Sequence, residues 1–307
     1  TSKTTSIDVN IRYSDAKERG TAPNNINDVR FSAMNGRVNQ ALANSPIPLH
    51  VNVLGEEDED IYFEYMVHPL RSIADNDRRI NRTWLNINGA FNWFIIRDLR
   101  FKSEFGYGVS QNESETFIGT STYWSNILAN EKGLPGNRHY YYRSNRFRNA
   151  NTLNYDFKGI LDPSRHKLNI ILGEELNWSQ ARAETIITEG FPEFFVAKDA
   201  WNFMASGVPY SNDLTVGQAD VLLSFFSRAN YSFLDRYSIG ATLRADGSSR
   251  FGEGNRWGFF PSAAVSWDVA KEPFLKNWGW LNQFKIRYSY GTAGNNSIPS
   301  GQIYPIY

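Results

Sequence analysis

The chain has no cysteine among its 307 residues. Disulfides and thiolate metal sites are therefore excluded. It has no surplus charge either: 32 basic residues are matched by 32 acidic ones. A nucleic-acid binder normally shows a basic excess, so no nucleic-acid partner is expected. No apolar run approaches the roughly 18 residues that mark a transmembrane helix. The longest, such as Phe91–Ile96, are far too short. Catalytic signatures are missing too. There is no GxSxG elbow, no HExxH zinc helix and no GxxxxGKS/T phosphate loop. The four histidines, His50, His68, His139 and His166, are scattered. Glu174 and Glu175 are adjacent, so on a strand they point to opposite faces and cannot pair as acid and base. The expectation is a protein without enzymatic activity and without a cofactor.

What the chain does have is aromatic. Phe, Trp and Tyr make up 15%, with 21 Phe, 16 Tyr and 9 Trp. Membrane interfaces use Tyr and Trp in this way, because one end of the ring system is apolar and the other wet. The chain starts at Thr1 without an initiator methionine and ends at Tyr307 in a loop-like stretch. The expectation is a segment of a longer protein.

Period-two alternation recurs along the sequence. In SIDVNIRYSD, Ile7, Val9, Ile11 and Tyr13 oppose Asp8, Asn10 and Arg12. An irregular region is expected from Ala16 to about Arg82, with a short helix over 31–44. Then Leu85, Ile87, Gly89, Phe91 and Trp93 share one face, and a brief turn at Arg97-Asp98 leads to Leu99, Phe101, Ser103, Phe105, Tyr107 and Val109. A long polar loop is expected from Ser110 to about Arg148. A second hairpin turns at Asp162-Pro163-Ser164, and a further long loop is expected from Ser179 to about Asp220. The third hairpin turns at Leu234-Asp235-Arg236. The stretch RADGSSRFGEGNRWGFFPSAAVSW follows, with Trp257, Phe259, Pro261, Ala263, Val265 and Trp267 on one face. A last strand carries Phe284, Ile286, Tyr288 and Tyr290. The count is about nine strands, joined up and down, with short turns at one end and long loops at the other. Outer-membrane barrels have that layout.

Alternation alone does not separate a bilayer from a protein core, because a soluble sandwich also alternates. Three features favour the bilayer. The strands run to roughly 10–13 residues, against about 5–6 in soluble proteins and about 9–11 for a tilted membrane strand. Aromatics gather near strand ends: Trp93, Tyr107, Trp178, Phe233, Tyr237, Trp257 and Trp267. The polar face mixes small residues with opposed charges, as at Arg100, Lys102 and Glu104. The fold class expected is all-β: an antiparallel up-and-down transmembrane β-barrel segment with long extracellular loops. A soluble carbohydrate-binding β-protein, an outer-membrane enzyme and a passive porin are the alternatives.

One block is more specific. RYSIGATLRADGSSRFGEGNRWGFFPSAAVSWDVAKEPF resembles the barrel of the SusC/RagA-like TonB-dependent transporters of Bacteroidetes. LNQFKIRYSYGTAGNN (281–296), HPLRSI (68–73) and the sequence around Arg228-Ala229-Asn230-Tyr231 are similar to further family blocks, in the same order. The Asp246–Gly252 motif followed by Phe260-Pro261-Ser262 carries the most specificity. The resemblance implies that 1–307 is part of one barrel domain, about nine strands from the middle of a 22-stranded barrel. It implies a signal peptide, a carboxypeptidase-like domain and a plug elsewhere in the protein. It further implies outer-membrane localisation and import of oligosaccharides or peptides. The implied partners are a SusD-like surface lipoprotein, TonB–ExbB–ExbD acting through the plug, and outer-membrane lipid.

The candidate substrate contacts are Trp124, Tyr140, Tyr141, Tyr142, Arg244, Asp246 and Arg250. The tyrosines and Trp124 offer flat faces to sugar rings, or pack on a neighbouring loop or the lipoprotein. Asp246, Ser248, Ser249 and Arg250 read more simply as a tight loop whose side chains bond their own backbone. Arg100, Lys102, Glu104, Arg228, Arg244, Lys285 and Arg287 face the wet side, where such residues guide substrate, pair across strands or touch the plug. In the acidic run, Glu56, Asp58 and Asp60 are the weak candidates for a Ca²⁺ site. A solvated loop explains them more simply, since the spacing and turn glycine of an EF-hand loop are lacking.

Overall fold

The structure is a computed structural model that describes residues 4–20, 75–122, 125, 129–130, 133–158, 162–275 and 282–298. One antiparallel sheet contains the ten strands found among the described residues. They are β1 (Thr5–Gly20), β2 (Asn76–Ile96), β3 (Leu99–Ile118), β4 (Gly136–Asp156), β5 (His166–Glu189), β6 (Val208–Val216), β7 (Asp220–Phe233), β8 (Tyr237–Ser248), β9 (Trp257–Asp268) and β10 (Lys285–Gly291). Neighbours in sequence are neighbours in space, except that β7 also pairs with β5 and leaves β6 as a side branch. This is the up-and-down meander expected from the hairpin spacing. The sheet has one strand more than the sequence pattern predicts, because β6 lies inside a region read as loop.

Register fixes the two faces. Ile11, Ile87, Tyr107, Phe147 and Trp178 form one row across β1–β5. Tyr231, Ile239, Val265 and Tyr288 form another across β7–β10. The same parity brings Asn10, Asn88, Gly106, Arg148 and Asn177 together on the opposite face. A one-residue slip would exchange the faces, so the alternation specifies the pairing.

Among the described residues no second layer packs against the apolar face. Among the described residues the buried hydrophobics are only Ile80, Phe117, Ala129, Ala150, Phe191, Ala200 and Val269. Ile7, Val9, Ile11, Ile239, Leu243 and Phe259 are each more than half exposed. A sandwich would cover such a face with a second sheet. Aromatic side chains border it at both ends: Phe233, Tyr237 and Trp267 stack at one, Phe225 and Trp257 at the other. From Leu168 to Trp178, β5 covers about the ten residues a tilted strand needs to cross a bilayer. The face is interrupted by polar groups at Ser103, Asn151 and Glu174, which lie in one row. There Asn151 donates to Glu174 at 3.0 Å and to Asn149 at 2.9 Å.

Strands β2–β5, at 20 to 24 residues, are longer than a bilayer requires. Their far ends project beyond the aromatic border at the long-loop end. There they carry a small core of the ordinary kind: Phe117, Phe191 and Ala200, with Phe195 and Trp201 packed on it. The helix α1 (Ala197–Asn202) supplies Ala200 and Trp201. Arg79 sits 3.9 Å over the Trp201 ring. These extensions overturn three expectations. The loops predicted from Ala16, from Ser110 and from Ser179 begin later, because β1, β3 and β5 continue to Gly20, Ile118 and Glu189. Tyr140, Tyr141 and Tyr142 are therefore strand residues of β4, not loop residues. Both faces are polar there because both meet water, so hydrophobic alternation no longer marks the strand. The helix expected over 31–44 lies outside the described residues.

The β7–β8 turn carries a local cost. Leu234 and Asp235 both have positive φ, 55° and 54°, the pattern of a type I′ hairpin turn. Leucine tolerates this region poorly, at roughly 1–2 kcal/mol. Leu234→Asn is expected to raise the unfolding temperature in heat-modifiable gel migration, and an unchanged or lowered midpoint would contradict the strain. Ile239→Arg or Leu243→Arg is expected to impair membrane assembly, since charge on the lipid face costs about 2–4 kcal/mol near the midplane. Normal assembly of both variants would contradict the facing assignment.

Candidate substrate-facing wall

The polar face is built by the strand parity that builds the apolar one. Arg100, Lys102, Glu104, Arg228, Arg244, Lys285 and Arg287 all lie on it, as the alternation predicts. They are largely engaged with one another or with neighbours. Lys102 donates to Glu104 at 2.5 Å, and Arg148 donates to Glu175 at 2.7 Å while approaching Glu104 at 3.8 Å. Arg244 donates through Nε to both Asp246 oxygens, at 2.7 and 2.9 Å, and through Nη2 to Ser224 at 2.9 Å. Such charge-assisted bonds tie β3, β4 and β5 together, and β7 to β8, across a wet surface.

Two large rings share this face, and the sequence reading passed over them. Phe226 pairs with Gly173 across β5–β7, and a Cβ on Gly173 would meet its ring at 2.3 Å. The glycine is what lets the ring lie flat on the neighbouring strand. Arg244 stands 5.9 Å above it. Phe260 lies likewise over Gly258 and Gly294. The signal was present: Phe225-Phe226 and Phe259-Phe260 are adjacent pairs, so one ring of each must leave the apolar face.

The Asp246–Gly252 motif is a clasp. Ser249 Oγ accepts from the Val221 N–H at 2.8 Å and donates to the Ala219 carbonyl at 3.3 Å. Arg250 forms a two-pronged pair with Asp220, at 3.0 and 2.8 Å, and donates to the Asn296 carbonyl at 3.3 Å. The clasp joins the start of β7, the end of β8 and the segment after β10. The polar groups of Arg244, Asp246 and Arg250 are thus held within the wall. Tyr140 and Tyr142 share the polar face, while Tyr141 points to the other, opposite Glu113 and Glu184. Trp124, Glu56, Asp58, Asp60 and the block 68–73 lie outside the described residues.

At the short-turn end Glu272 makes a second clasp. Its carboxylate accepts from the Tyr237 hydroxyl at 2.5 Å, the Trp267 indole N–H at 2.9 Å and Arg236 at 3.2 Å. Hydrogen bonds from Tyr237 and then Trp267 hold this carboxyl below the usual glutamate range, against a smaller effect of burial. Among the described residues no cluster of three or more His, Asp or Glu has a metal-holding arrangement.

A single antiparallel wall, apolar and unpacked on one side, charged and aromatic on the other, is a piece of an outer-membrane β-barrel. The family model for the TonB dependent receptor-like β-barrel matches residues 11–306, and the chain belongs to that family. The barrels of this family are outer-membrane proteins, and the family is one of receptors and transporters, not enzymes. TonB-dependent receptor P3 of Formosa agariphila is 27% identical over 272 residues, 88% of this chain and 25% of that protein. TonB-dependent receptor SusC of Bacteroides thetaiotaomicron is 45% identical over 89 residues, 29% of this chain and 9% of that protein. The structure of the RagAB peptide transporter superposes with a TM-score of 0.64 at 24% identity, covering 74% of this chain and 24% of that one. That likeness shows the fold. The chain spans about a quarter of the length of the P3 relative.

Both clasps yield expected outcomes. A folded-state carboxyl held below its ordinary range stabilises above that range and loses the contribution as pH falls through the depressed value. Trp267 fluorescence should therefore stay native-like at neutral pH and change only below the ordinary glutamate range, and Glu272→Gln should abolish that acid transition. The same transition persisting in Glu272→Gln would contradict the assignment. Arg250→Lys keeps the charge but loses the fork. It should lower urea resistance by on the order of 1 kcal/mol, the pair being partly exposed. An unchanged midpoint would count against the clasp.

Proposed function

We propose that residues 1–307 form part of one barrel domain in an importer that carries oligomeric nutrients, glycan or peptide, across the outer membrane. The observation that supports this reading is the polar wall itself: charged pairs, Phe226 and Phe260 line it, on a barrel of the TonB-dependent receptor family. Family members named SusC and RagAB motivate the partners. In this reading a SusD-like lipoprotein closes the barrel at the long-loop end. TonB, driven through ExbB and ExbD, moves a plug from the periplasmic side. The wall does no bond chemistry. Its paired charges give the plug and the passing oligomer a hydrated, exchangeable surface.

Uptake of a fluorescent oligomeric nutrient by cells carrying the full-length receptor tests this. Uptake should require the receptor and fall to background when tonB is deleted. Uptake that persists without TonB would replace the importer with a passive porin.

A further inference from the structure

The lipid-facing side of the sheet carries a polar island that no clasp uses. Ser103, Asn151 and Glu174 form one row across β3–β5, in register with Phe91 on one side and Phe225 on the other. The row lies deep in the span. Asn151 stands midway between Phe147 and Tyr155 on β4, and Glu174 lies well short of Trp178 on β5. The Asn151 amide donates to Glu174 Oε1 at 3.0 Å and to Asn149 Oδ1 at 2.9 Å. Asn149 in turn donates to the Glu104 carbonyl at 3.0 Å. Among the described residues, the second Glu174 oxygen and the Ser103 hydroxyl have no side-chain partner. Hydrocarbon offers them none, and ionisable side chains within a membrane pair with protein groups or line water. Strands β3, β4 and β5 each have a hydrogen-bonded strand on both sides. No further strand of the sheet can enter beside the row, so a cover for the island must come from another molecule in the membrane.

We infer that this island is a contact surface for a second copy of the chain, side by side in the same membrane. A partner must present polar groups at the depth of Glu174. Another copy does so by construction, since the same aromatic borders fix both barrels at one height. The order of the row suits a twofold axis normal to the membrane, the commonest symmetry of homo-oligomers. An axis through Asn151 puts Ser103 of each copy on the side of Glu174 of the other, a hydroxyl donor toward a carboxylate acceptor. It also keeps the two carboxylates apart, on opposite sides of Asn151. Phe105, Leu172 and Phe225, exposed around the island, supply an apolar rim. Pairing of this kind is independent of what the barrel imports.

The test uses the full-length receptor in native outer membranes, in a background free of other cysteines. Leu172→Cys lies beside Glu174 on the same face of β5 and leaves the hydrogen-bonding groups in place. Ile239→Cys lies on the same lipid-facing side, on β8. A short membrane-permeant bis-maleimide should convert the Leu172→Cys receptor into a covalent dimer and leave the Ile239→Cys receptor monomeric. Adding Glu174→Leu should lower the dimer yield at position 172 by about fivefold, the scale of one net hydrogen bond. Glu174→Gln still accepts from a hydroxyl and should keep most of the yield. Heat-modifiable migration checks that each variant is folded. Monomer at both positions, equal cross-linking at both, cross-linking of position 172 only to a different protein, or a yield unchanged by Glu174→Leu would overturn the inference. None of these results touches TonB-dependent uptake, so the two readings fail separately.

Discussion

Everything in this molecule follows from the need to satisfy backbone N–H and C=O groups where no water is present. In hydrocarbon an unpaired peptide group costs several kcal/mol, so a β-chain must pair every strand on both sides. The meander does this for the strands between β1 and β10 on its main path. With backbone pairing provided by neighbours, the side chains are free to divide by parity. Odd positions of β3 and β4 meet lipid, even positions meet water, and no separate core is needed. The scarcity of buried hydrophobics is a consequence of this arrangement.

The same constraint explains where the structure changes character. Within the bilayer one face is apolar. Beyond the aromatic border the strands continue into water and both faces turn polar, so the protein must stabilise them by other means. Phe117, Phe191 and Ala200 supply a small core there, and the Arg79–Glu115 ion pair and the His139–Glu113 contact line the outer side. At the borders, loops are tied down by polar anchors rather than by packing: Arg250 on Asp220 at one end, Glu272 on Tyr237 and Trp267 at the other.

Legibility in the sequence follows the same line. Strands β7–β9 were readable residue by residue, because Phe225, Ile239 and Val265 alternate with Arg228, Gly240 and Ser266 and the turns between β7 and β8 are short. The stretches from Gln111 to Thr116 and from Arg138 to Asn145 look like loop in the sequence, since alternation disappears once both faces are wet. Strand β6 was hidden for that reason and because it pairs outside the main path. The Asp246–Gly252 motif was visible as a motif. Its partners Asp220 and Asn296 were not, since nothing local links residue 250 to residue 296.

The division of faces is the claim on which the rest stands, and the cysteine-free chain allows it to be measured without background thiols from this segment. Single cysteines placed at Ser238, Ile239, Gly240, Ala241, Thr242 and Leu243 in the full-length receptor would be reacted in membranes with two maleimides, one water-soluble and one confined to lipid. The account predicts strict alternation: positions 238, 240 and 242 label from water, and 239, 241 and 243 from lipid. Uniform labelling along β8, or the opposite phase, would contradict it.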